Sequence, residues 1–292
     1  PRAVFAGRDS DDDSDEEPAA DVEVMLKIYA ERDADPIWTW TRKPPANDEE
    51  EEDEAGPNDP PDTELLSADK GLNRFVWNLR YPGMERFDDL IMWSDMREGP
   101  RAVPGTYRAE LTVGDVVRDV DFEVLADPRS SSRPADYREQ FEFIMDTRNL
   151  LSAAHIEVRK IRRLRTQLEA LQVRLEREAE SDSRVAALLG EVNALMETID
   201  PIEEAIYQTQ NESRQDPLNY PIRLNNKLTS LMRTVDVGDA RPTAGAIGVR
   251  DELGAALESE LELLESVWEE NVPALNSQIQ EMGIDLVSIT DE

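Results

Sequence analysis

Residues 134–180 read PADYREQFEFIMDTRNLLSAAHIEVRKIRRLRTQLEALQVRLEREAE, and this stretch decides the fold. Its apolar residues recur at intervals of three and four, the spacing that lines one face of an α-helix. The stripe contains Tyr137, Phe141, Ile144, Leu151, Val158, Ile161, Leu168, Leu171 and Leu175. Pro134 suits a first helical turn because its missing N–H has no helical partner there. We therefore predict a helix over about 134–180, roughly 70 Å long at 1.5 Å per residue.

The helical spacing continues towards the C-terminus. Proline disfavours helix both at its own position and at the residue before it, so Pro217 and Pro221 should interrupt the pattern. Pro201 should cause a kink or a restart, and Pro273 should kink the last helix. Gly238 is placed to end the preceding helix in a left-handed conformation. These signals predict helices over about 183–211, 221–236 and 243–283.

The predicted helix lengths suggest how the helices pack. The first and last are similar in length, and the two middle ones together have about the same length. The simplest arrangement is an elongated antiparallel bundle over 134–285, broken in its middle layer near Pro217–Pro221. A coiled-coil dimer is the alternative, which would make a second copy of the chain the partner.

Residues 22–128 have the features of strands rather than helices. VEVMLKIYA, PIWTWTRK and NRFVWNLRY are rich in β-branched and aromatic residues, and TYRAELTVG with VVRDVDFEVL flanks a Gly114-Asp115 turn. No crossover helix separates these segments, so we predict an antiparallel Ig-like or fibronectin-like β-sandwich. The predicted core is Val24, Leu26, Ile28, Trp38, Trp40, Phe75, Trp77, Leu79, Tyr107, Leu111, Val113, Phe122 and Val124.

Two acidic stretches lack the apolar residues needed for packing. Residues 1–21 include RDSDDDSDEEPAAD, and residues 44–63 are rich in proline, aspartate and glutamate. We predict a solvated linker for the first and a disordered insert in the sandwich for the second. The fold class is thus α+β, with a sandwich followed by helices.

The composition limits the classes of partner. The chain of 292 residues has a formal net charge of −33, with 65 acidic residues against 32 basic ones, of which only five are lysines. Such a charge repels nucleic-acid phosphates and anionic membrane surfaces, so neither is expected as a partner. No apolar run is long enough for membrane insertion. Self-repulsion of this size is screened by salt, which suggests a halophilic habitat.

The sequence contains few candidates for catalytic chemistry. There is no cysteine, and His155 is the only histidine, which excludes cysteine-ligated metals and multi-histidine sites. P-loop, G-x-G-x-x-G, G-x-S-x-G and H-E-x-x-H motifs are also missing. We therefore assign no catalytic, cofactor-binding or metal-binding residue. We expect His155 to be a helix-surface or seam residue.

Several segments resemble a known family. They are GLNRFVWNLRYPG (71–83), VPGTYRAELTVGD (103–115), FEVLADPR (122–129), DPLNYPIRLNNKLTSL (216–231) and GDARPT (238–243). Together they are similar to the C-terminal region of bacterial exported proteins with sortilin-like or BNR-repeat β-propellers, commonly labelled glycosyl hydrolases. The PGTY element also resembles the Ig-like domain of flagellar hook-capping proteins. The S-x-D-x-G-x-T-W signature of the propeller repeats does not occur in this chain.

The resemblance implies a function for the region. The chain would be the non-catalytic C-terminal part of an exported protein of the periplasm or cell surface, following a β-propeller that carries any hydrolase activity. It would act as a structural and protein-interaction module without cofactors. Its partners would be the upstream propeller, another protein or a second copy of the chain.

Two sets of residues are candidates for binding. The DPLNYP loop is first of all explained by structure, since Pro217 and Pro221 fix a break in the helix. The functional alternative is a contact patch at a bundle tip, formed by Asn219, Tyr220, Arg223 and Asn225. In an alternative function, the chain is an accessory carbohydrate-binding region of an extracellular glycosidase, in which aromatic rings would stack on sugars. The candidates for that role are Trp38, Trp40 and Trp93.

Overall fold

The computed structural model describes residues 23–31, 34–41, 66, 71–93 and 95–283. The linker predicted at 1–21 and the insert predicted at 44–63 lie outside these residues. Within them the fold is mixed α/β, with small antiparallel sheets in the N-terminal part and helices in the C-terminal part. The prediction of strands first and helices second is confirmed at this level.

The chain divides into two compact units. The described residues of the first, the sheet unit, lie within Pro1–Gly83, Arg97–Met145 and Asp236–Arg241. Those of the second, the helical unit, lie within Met84–Met96, Asp146–Val235 and Pro242–Glu292. The sequence predicts one boundary between residues 128 and 134, whereas the structure groups the segment Met84–Met96 with the helices.

Six described strands form two antiparallel sheets. Their bounds are β1 (Val24–Tyr29), β2 (Trp38–Thr41), β3 (Arg80–Pro82), β4 (Glu98–Arg101), β5 (Gly105–Val113) and β6 (Val116–Val124). The larger sheet has the order β2-β1-β5-β6, and the smaller one pairs β3 with β4. The predicted hairpin is present as β5 and β6, in which Val113 pairs with Val116. Gly114 has φ +54°, which a two-residue turn requires at its first central position.

The strand predicted over NRFVWNLRY is wrong for most of its length. Residues 72–79 are not strand, and β3 begins only at Arg80. Leu79 has φ +63°, a left-handed conformation that ends an extended segment. The aromatic residues of the segment nevertheless pack inward, with Trp77 buried and Phe75 half-buried against the core.

The core of the sheet unit contains most of the predicted residues. Val24, Leu26, Ile28, Trp40, Trp77, Tyr107 and Val124 are buried, and Trp38, Phe75, Leu79, Leu111 and Phe122 are half-buried against them. The prediction for Val113 is wrong, because 40% of this residue is exposed beside the Gly114-Asp115 turn of the β5–β6 hairpin. Leu66, Ala102 and Ala109 complete the buried cluster.

Helices form most of the rest of the described chain. Their bounds are α1 (Pro134–Ala179), α2 (Ser183–Ile206), α3 (Leu224–Val235), α4 (Ala244–Ser266) and α5 (Val272–Glu281). Pro134 opens α1, where the Asp136 carboxylate accepts the Arg133 backbone N–H at 2.8 Å. Asp182 and Thr243 cap α2 and α4 by accepting the N–H groups of Arg184 and Ala246. These contacts supply partners that the first turns of the helices otherwise lack.

Prolines act differently at the two predicted break points. The sequence predicts a kink or a restart at Pro201, and α2 continues through this residue without restarting. Before Pro273 the expected single helix is interrupted by a π-helical turn, Val267–Asn271, and α5 then begins at Val272 with proline in its first turn. Proline cannot donate a backbone hydrogen bond, so a change of bonding pattern just before it is expected. Among the described residues, no helix is both long enough and apolar enough to span a bilayer.

Candidate functional site

The helical unit contains an irregular piece of chain, Met84–Met96, which we call the clasped segment. It lies between β3 and β4 in sequence but has no helix or strand among its described residues. Its buried side chains are Met84, Phe87, Leu90, Met92 and Met96. A segment without regular structure must find other partners for its backbone N–H and C=O groups.

His155 of α1 supplies one of these partners. The side chain is fully buried, and its Nδ1 lies 2.6 Å from the Glu85 carbonyl oxygen. A carbonyl can only accept, so Nδ1 carries the hydrogen. Nε2 then accepts from the side-chain amide of Asn225, 3.2 Å away. Burial lowers the pKa of His155 to about 4, so the imidazole is neutral at pH 7 with a fixed tautomer.

Three further short side chains hold the clasped segment. The Ser152 hydroxyl accepts the Glu85 backbone N–H at 3.0 Å, and the Asn226 side-chain oxygen accepts the Trp93 N–H at 2.8 Å. The hydroxyl of Thr229 lies 3.9 Å from the Met84 sulfur and 3.8 Å from the Met92 sulfur. These side chains come from α1 and α3, so both helices contact the segment.

The chain just beyond α2 holds the middle of the clasped segment. The Tyr207 hydroxyl donates to the Asp89 carbonyl at 3.1 Å and accepts the Ile91 N–H at 3.4 Å. The Asn211 amide donates to the Ile91 carbonyl at 3.3 Å. Burial raises the pKa of Tyr207, so the hydroxyl remains a donor well above neutral pH. Asp89 has φ +60°, a strained conformation that these contacts help to maintain.

Two arginines of α1 bind carbonyl oxygens of the same segment. Arg159 donates to the Arg86 carbonyl at 2.7 Å, and Arg162 donates to the Asp88 carbonyl at 2.8 Å. The Arg162 guanidinium also lies over the Phe87 ring, 4.6 Å from its centroid. Such a contact combines hydrogen bonding with a cation–π interaction, which lysine could not reproduce in the same planar geometry.

A buried carboxylate anchors Arg162 and a second arginine of α1, Arg165. Glu203 of α2 is 1% exposed and lies 3.0 Å from Arg162 and 2.6 Å from Arg165. Arg165 also contacts Asp200 at 2.7 Å. Burial opposes the charge of Arg165, but Glu203 and Asp200 outweigh it and the pKa of Arg165 is raised. Arg165 therefore keeps its positive charge at all pH values near neutrality.

This geometry suits the binding of a chain segment better than proton transfer to a ligand. Both nitrogens of His155 have protein partners, and a general base needs access to the proton that it removes. Across the part of the chain that the structure describes, no group of three or more His, Cys, Asp or Glu residues could hold a metal ion.

The structure does not place all four residues of the predicted contact patch at the surface. Asn219 and Tyr220 are exposed beside a short 3-10 turn, Asp216–Leu218, and Arg223 is half-buried. Asn225 is 1% exposed and bonds to His155, so it does not belong to an exposed patch. It lies in the first turn of α3, which faces the interior. The loop itself is shaped by Asp216, whose carboxylate accepts the N–H groups of Glu212 and Ser213.

The three candidate tryptophans lie in different environments. Trp40 is buried, and Trp38 stacks on it with ring centroids 5.5 Å apart. Trp38 also donates its indole N–H to the Arg80 carbonyl at 2.6 Å. Trp93, in the clasped segment, is 54% exposed. Trp93 belongs to the helical unit, whereas Trp38 and Trp40 belong to the sheet unit.

The clasped segment is missed by reasoning from sequence. Its buried apolar residues, at positions 84, 87, 90, 92 and 96, follow neither the alternation of a strand nor a full helical stripe. That irregular spacing is the only signal in the sequence. His155 is buried between its two partners, a more constrained position than the predicted surface or seam.

Comparisons with known proteins do not extend this description. The chain matches no family model, no curated protein and no solved structure.

Proposed function

We propose that this chain is a structural and protein-interaction module without catalytic activity of its own. The observation that supports the proposal is that buried and half-buried polar side chains of the helical unit bind the backbone of one segment. His155, Asn226, Tyr207 and Arg162 all bind the backbone of the clasped segment. Their hydrogen bonds hold the clasped segment in one conformation, which is a structural role.

We further propose the finer architecture and setting indicated by the sequence. The sheet unit would be an Ig-like sandwich, which is supported by its two antiparallel sheets and their shared aromatic core. The helices would form an elongated bundle. The module would be the C-terminal part of an exported sortilin-like or BNR-repeat β-propeller protein, as the resemblance of residues 216–231 suggests.

The size of the native polypeptide tests the proposed setting. The intact mass and N-terminal sequence would be measured on material from the native source and compared with the 33.1 kDa of this chain. We expect a much larger polypeptide that begins with propeller repeats. A native mass near that of the chain would refute the propeller context.

Paired variants test the interaction role at the 216–225 loop. Tyr220→Ala should weaken association with the native partner, mapped by crosslinking and mass spectrometry, and should leave the melting temperature within a few degrees. Asn225→Ala should lower the melting temperature because it leaves the buried imidazole without its donor. If Tyr220→Ala lowers stability and leaves association unchanged, the loop is only structural.

Trp93 favours a second candidate function, an accessory carbohydrate-binding region. An exposed indole offers an apolar face to a sugar ring. Titration with soluble glycans, followed by tryptophan fluorescence, would distinguish the two functions. A saturable change that Trp93→Ala abolishes and Trp38→Phe retains would favour carbohydrate binding, whereas no change in the unmodified chain would oppose it.

A further inference from the structure

One arginine of the helical unit has no partner for its charge. Arg223 is half-buried directly before α3, and its Nε is buried without a hydrogen-bond partner. Among the described residues, its guanidinium forms no hydrogen bond and no ion pair. The chain has 65 acidic residues against 32 basic ones, so a shortage of carboxylates does not explain a free arginine.

The burial of an unpaired guanidinium is costly. A buried donor without an acceptor loses the hydrogen bonds that it makes with water, and a buried charge is stabilised only by an opposite charge. Arg162 and Arg165 have such a partner in Glu203. Arg223 has none in the part of the chain that the structure describes, so an acceptor from another molecule would stabilise it.

Exposed apolar side chains lie around the same end of α3. Leu218 is 66% exposed and Tyr220 37% exposed, in the loop between α2 and α3 that ends at Arg223. Trp93 is 54% exposed, and its backbone N–H donates to Asn226 in the first turn of α3. Arginine, tyrosine and tryptophan are the residue types most enriched among those that dominate binding energies at interfaces.

The loop between α2 and α3 is held in a defined conformation. Gln208 donates to the Pro221 carbonyl at 2.9 Å, which fixes the end of the loop close to its beginning. Within the loop, the Asp216 carboxylate accepts the N–H groups of Glu212 and Ser213. A loop that is already ordered loses less conformational entropy when it binds a partner.

A single carboxylate is the ligand that suits this arginine best. The planar guanidinium can bind a carboxylate through two parallel hydrogen bonds. The net charge of −33 repels polyanions such as nucleic acids and anionic membranes at long range, and it repels a second copy of the chain in the same way. One carboxylate within a neutral or basic protein approaches without this repulsion.

We propose that Arg223 binds the carboxylate of a glutamate or aspartate in a partner protein that is neutral or basic overall. The inference rests on the proposed interaction role and specifies the chemistry of the partner at this loop. The carboxylate has apolar neighbours in the partner sequence, which pack against Leu218, Tyr220 and Trp93.

The stability of the full chain provides the first test. Arg223→Met keeps an apolar side chain of similar length and removes the charge. Because the guanidinium has no described partner, this variant should retain or raise the melting temperature. Arg165→Met, which leaves Glu203 without one of its partners, is the contrasting control and should lower it. A clear fall for Arg223→Met would mean that the charge is bound within the chain, and would overturn the proposal.

Peptide binding tests the chemistry of the partner. The probe is acetyl-Lys-Phe-Glu-Leu-Lys-amide, and the control peptide has glutamine in place of glutamate. Binding to the full chain would be measured by calorimetry at physiological salt. We expect the glutamate peptide to bind about tenfold more tightly, the effect of one charged hydrogen-bonded pair, although the control has one more net positive charge. Equal binding, or tighter binding of the control, would overturn the proposal.

Charge reversal isolates the contribution of Arg223. Arg223→Met should abolish the preference for the glutamate peptide, and Arg223→Glu should reverse it in favour of a peptide with lysine at that position. Arg214→Glu, exposed in the same loop, changes the net charge equally and should keep the original preference. If Arg223→Glu and Arg214→Glu change the preference alike, long-range charge determines binding and the proposal is overturned.

Two further outcomes would also overturn the proposal. The first is a dimer in sedimentation that Arg223→Met dissociates, because a second copy would then supply the carboxylate. The second is equal binding of the two peptides while Tyr220→Ala still weakens association with the native partner. That result would leave the broader interaction role intact, so failure of this inference is distinguishable from failure of the proposed function.

Discussion

The buried stripe of α1 from Leu164 to Leu175 is entirely apolar, whereas the turns of the same helix from Ser152 to Arg162 bring hydroxyl, imidazole and guanidinium groups against the clasped segment. Apolar contacts stabilise without fixing direction, so they tolerate small shifts of neighbouring helices. Hydrogen bonds to a particular carbonyl or N–H define one chain path. The apolar region therefore contributes mainly to stability, and the polar region fixes the conformation of the clasped segment.

The largest expected effect is at the apolar stripe. Leu164→Ala should lower the free energy of unfolding by about 3 to 4 kcal/mol, because it removes a fully buried side chain and leaves a cavity. Urea unfolding would measure the loss, which should not change between pH 4 and 7. Leu263→Ala, at a position 53% exposed, is the control and should cost little. A loss below about 1 kcal/mol at Leu164 would contradict close packing.

The polar region should respond to pH where the apolar stripe does not. The pKa of His155 is about 4 in the folded chain and 6.5 ordinarily, so the unfolded state binds the extra proton between these values. Stability should be full above pH 6.5 and should fall by about 3 kcal/mol as the pH drops to 4. Below that pH the contribution should change no further.

His155→Gln isolates this pH effect. The variant cannot titrate, so its stability should lack the slope between pH 6.5 and 4. Glu260, whose pKa burial raises, acts in the opposite sense but is present in both chains and cancels in the difference. Asp216 and Asp182 have lowered pKa values and lose their contributions at more acid pH. Identical pH profiles would show that the imidazole is not buried as described.

A smaller and more local effect is expected from Asn226. Asn226→Ala leaves the Trp93 N–H without its acceptor and should cost about 2 kcal/mol. Hydrogen exchange should accelerate at residues 84–96 and remain slow along Leu164–Leu175. Lys227→Ala, exposed in the same helix, is the control. Uniform acceleration across the helical unit would mean that the two regions unfold together.

The smallest effect is expected at a helix end away from the clasped segment. Asp182→Ala removes the cap of α2 and should lower the melting temperature slightly, whereas Asp182→Asn should leave it nearly unchanged because asparagine also caps helices. Thermal unfolding would compare them. If both variants lose the same amount, the carboxylate charge matters more than the hydrogen bond.

The sequence predicts correctly those elements whose apolar residues repeat with a regular period. The predicted helix at 134–180 is observed at Pro134–Ala179. Its apolar residues recur at intervals of three and four, a spacing that fits an α-helix and not a strand. The β5–β6 hairpin follows from Gly114 and the alternation around it. The buried contacts of Asn225 and Asn226 could not be predicted, because their partners His155 and Trp93 are distant in sequence. The clasped segment has no period, and only the tertiary contacts define it.

The solitary histidine gives this chain a built-in spectroscopic label. The imidazole carbon and nitrogen resonances of His155 would be the only ones of their kind in the NMR spectrum of the 292-residue chain. Their shifts depend on the tautomer, which the Glu85 carbonyl and the Asn225 amide fix. A histidine-labelled sample could therefore report whether residues 84–96 stay in place when a partner binds, with no engineered probe.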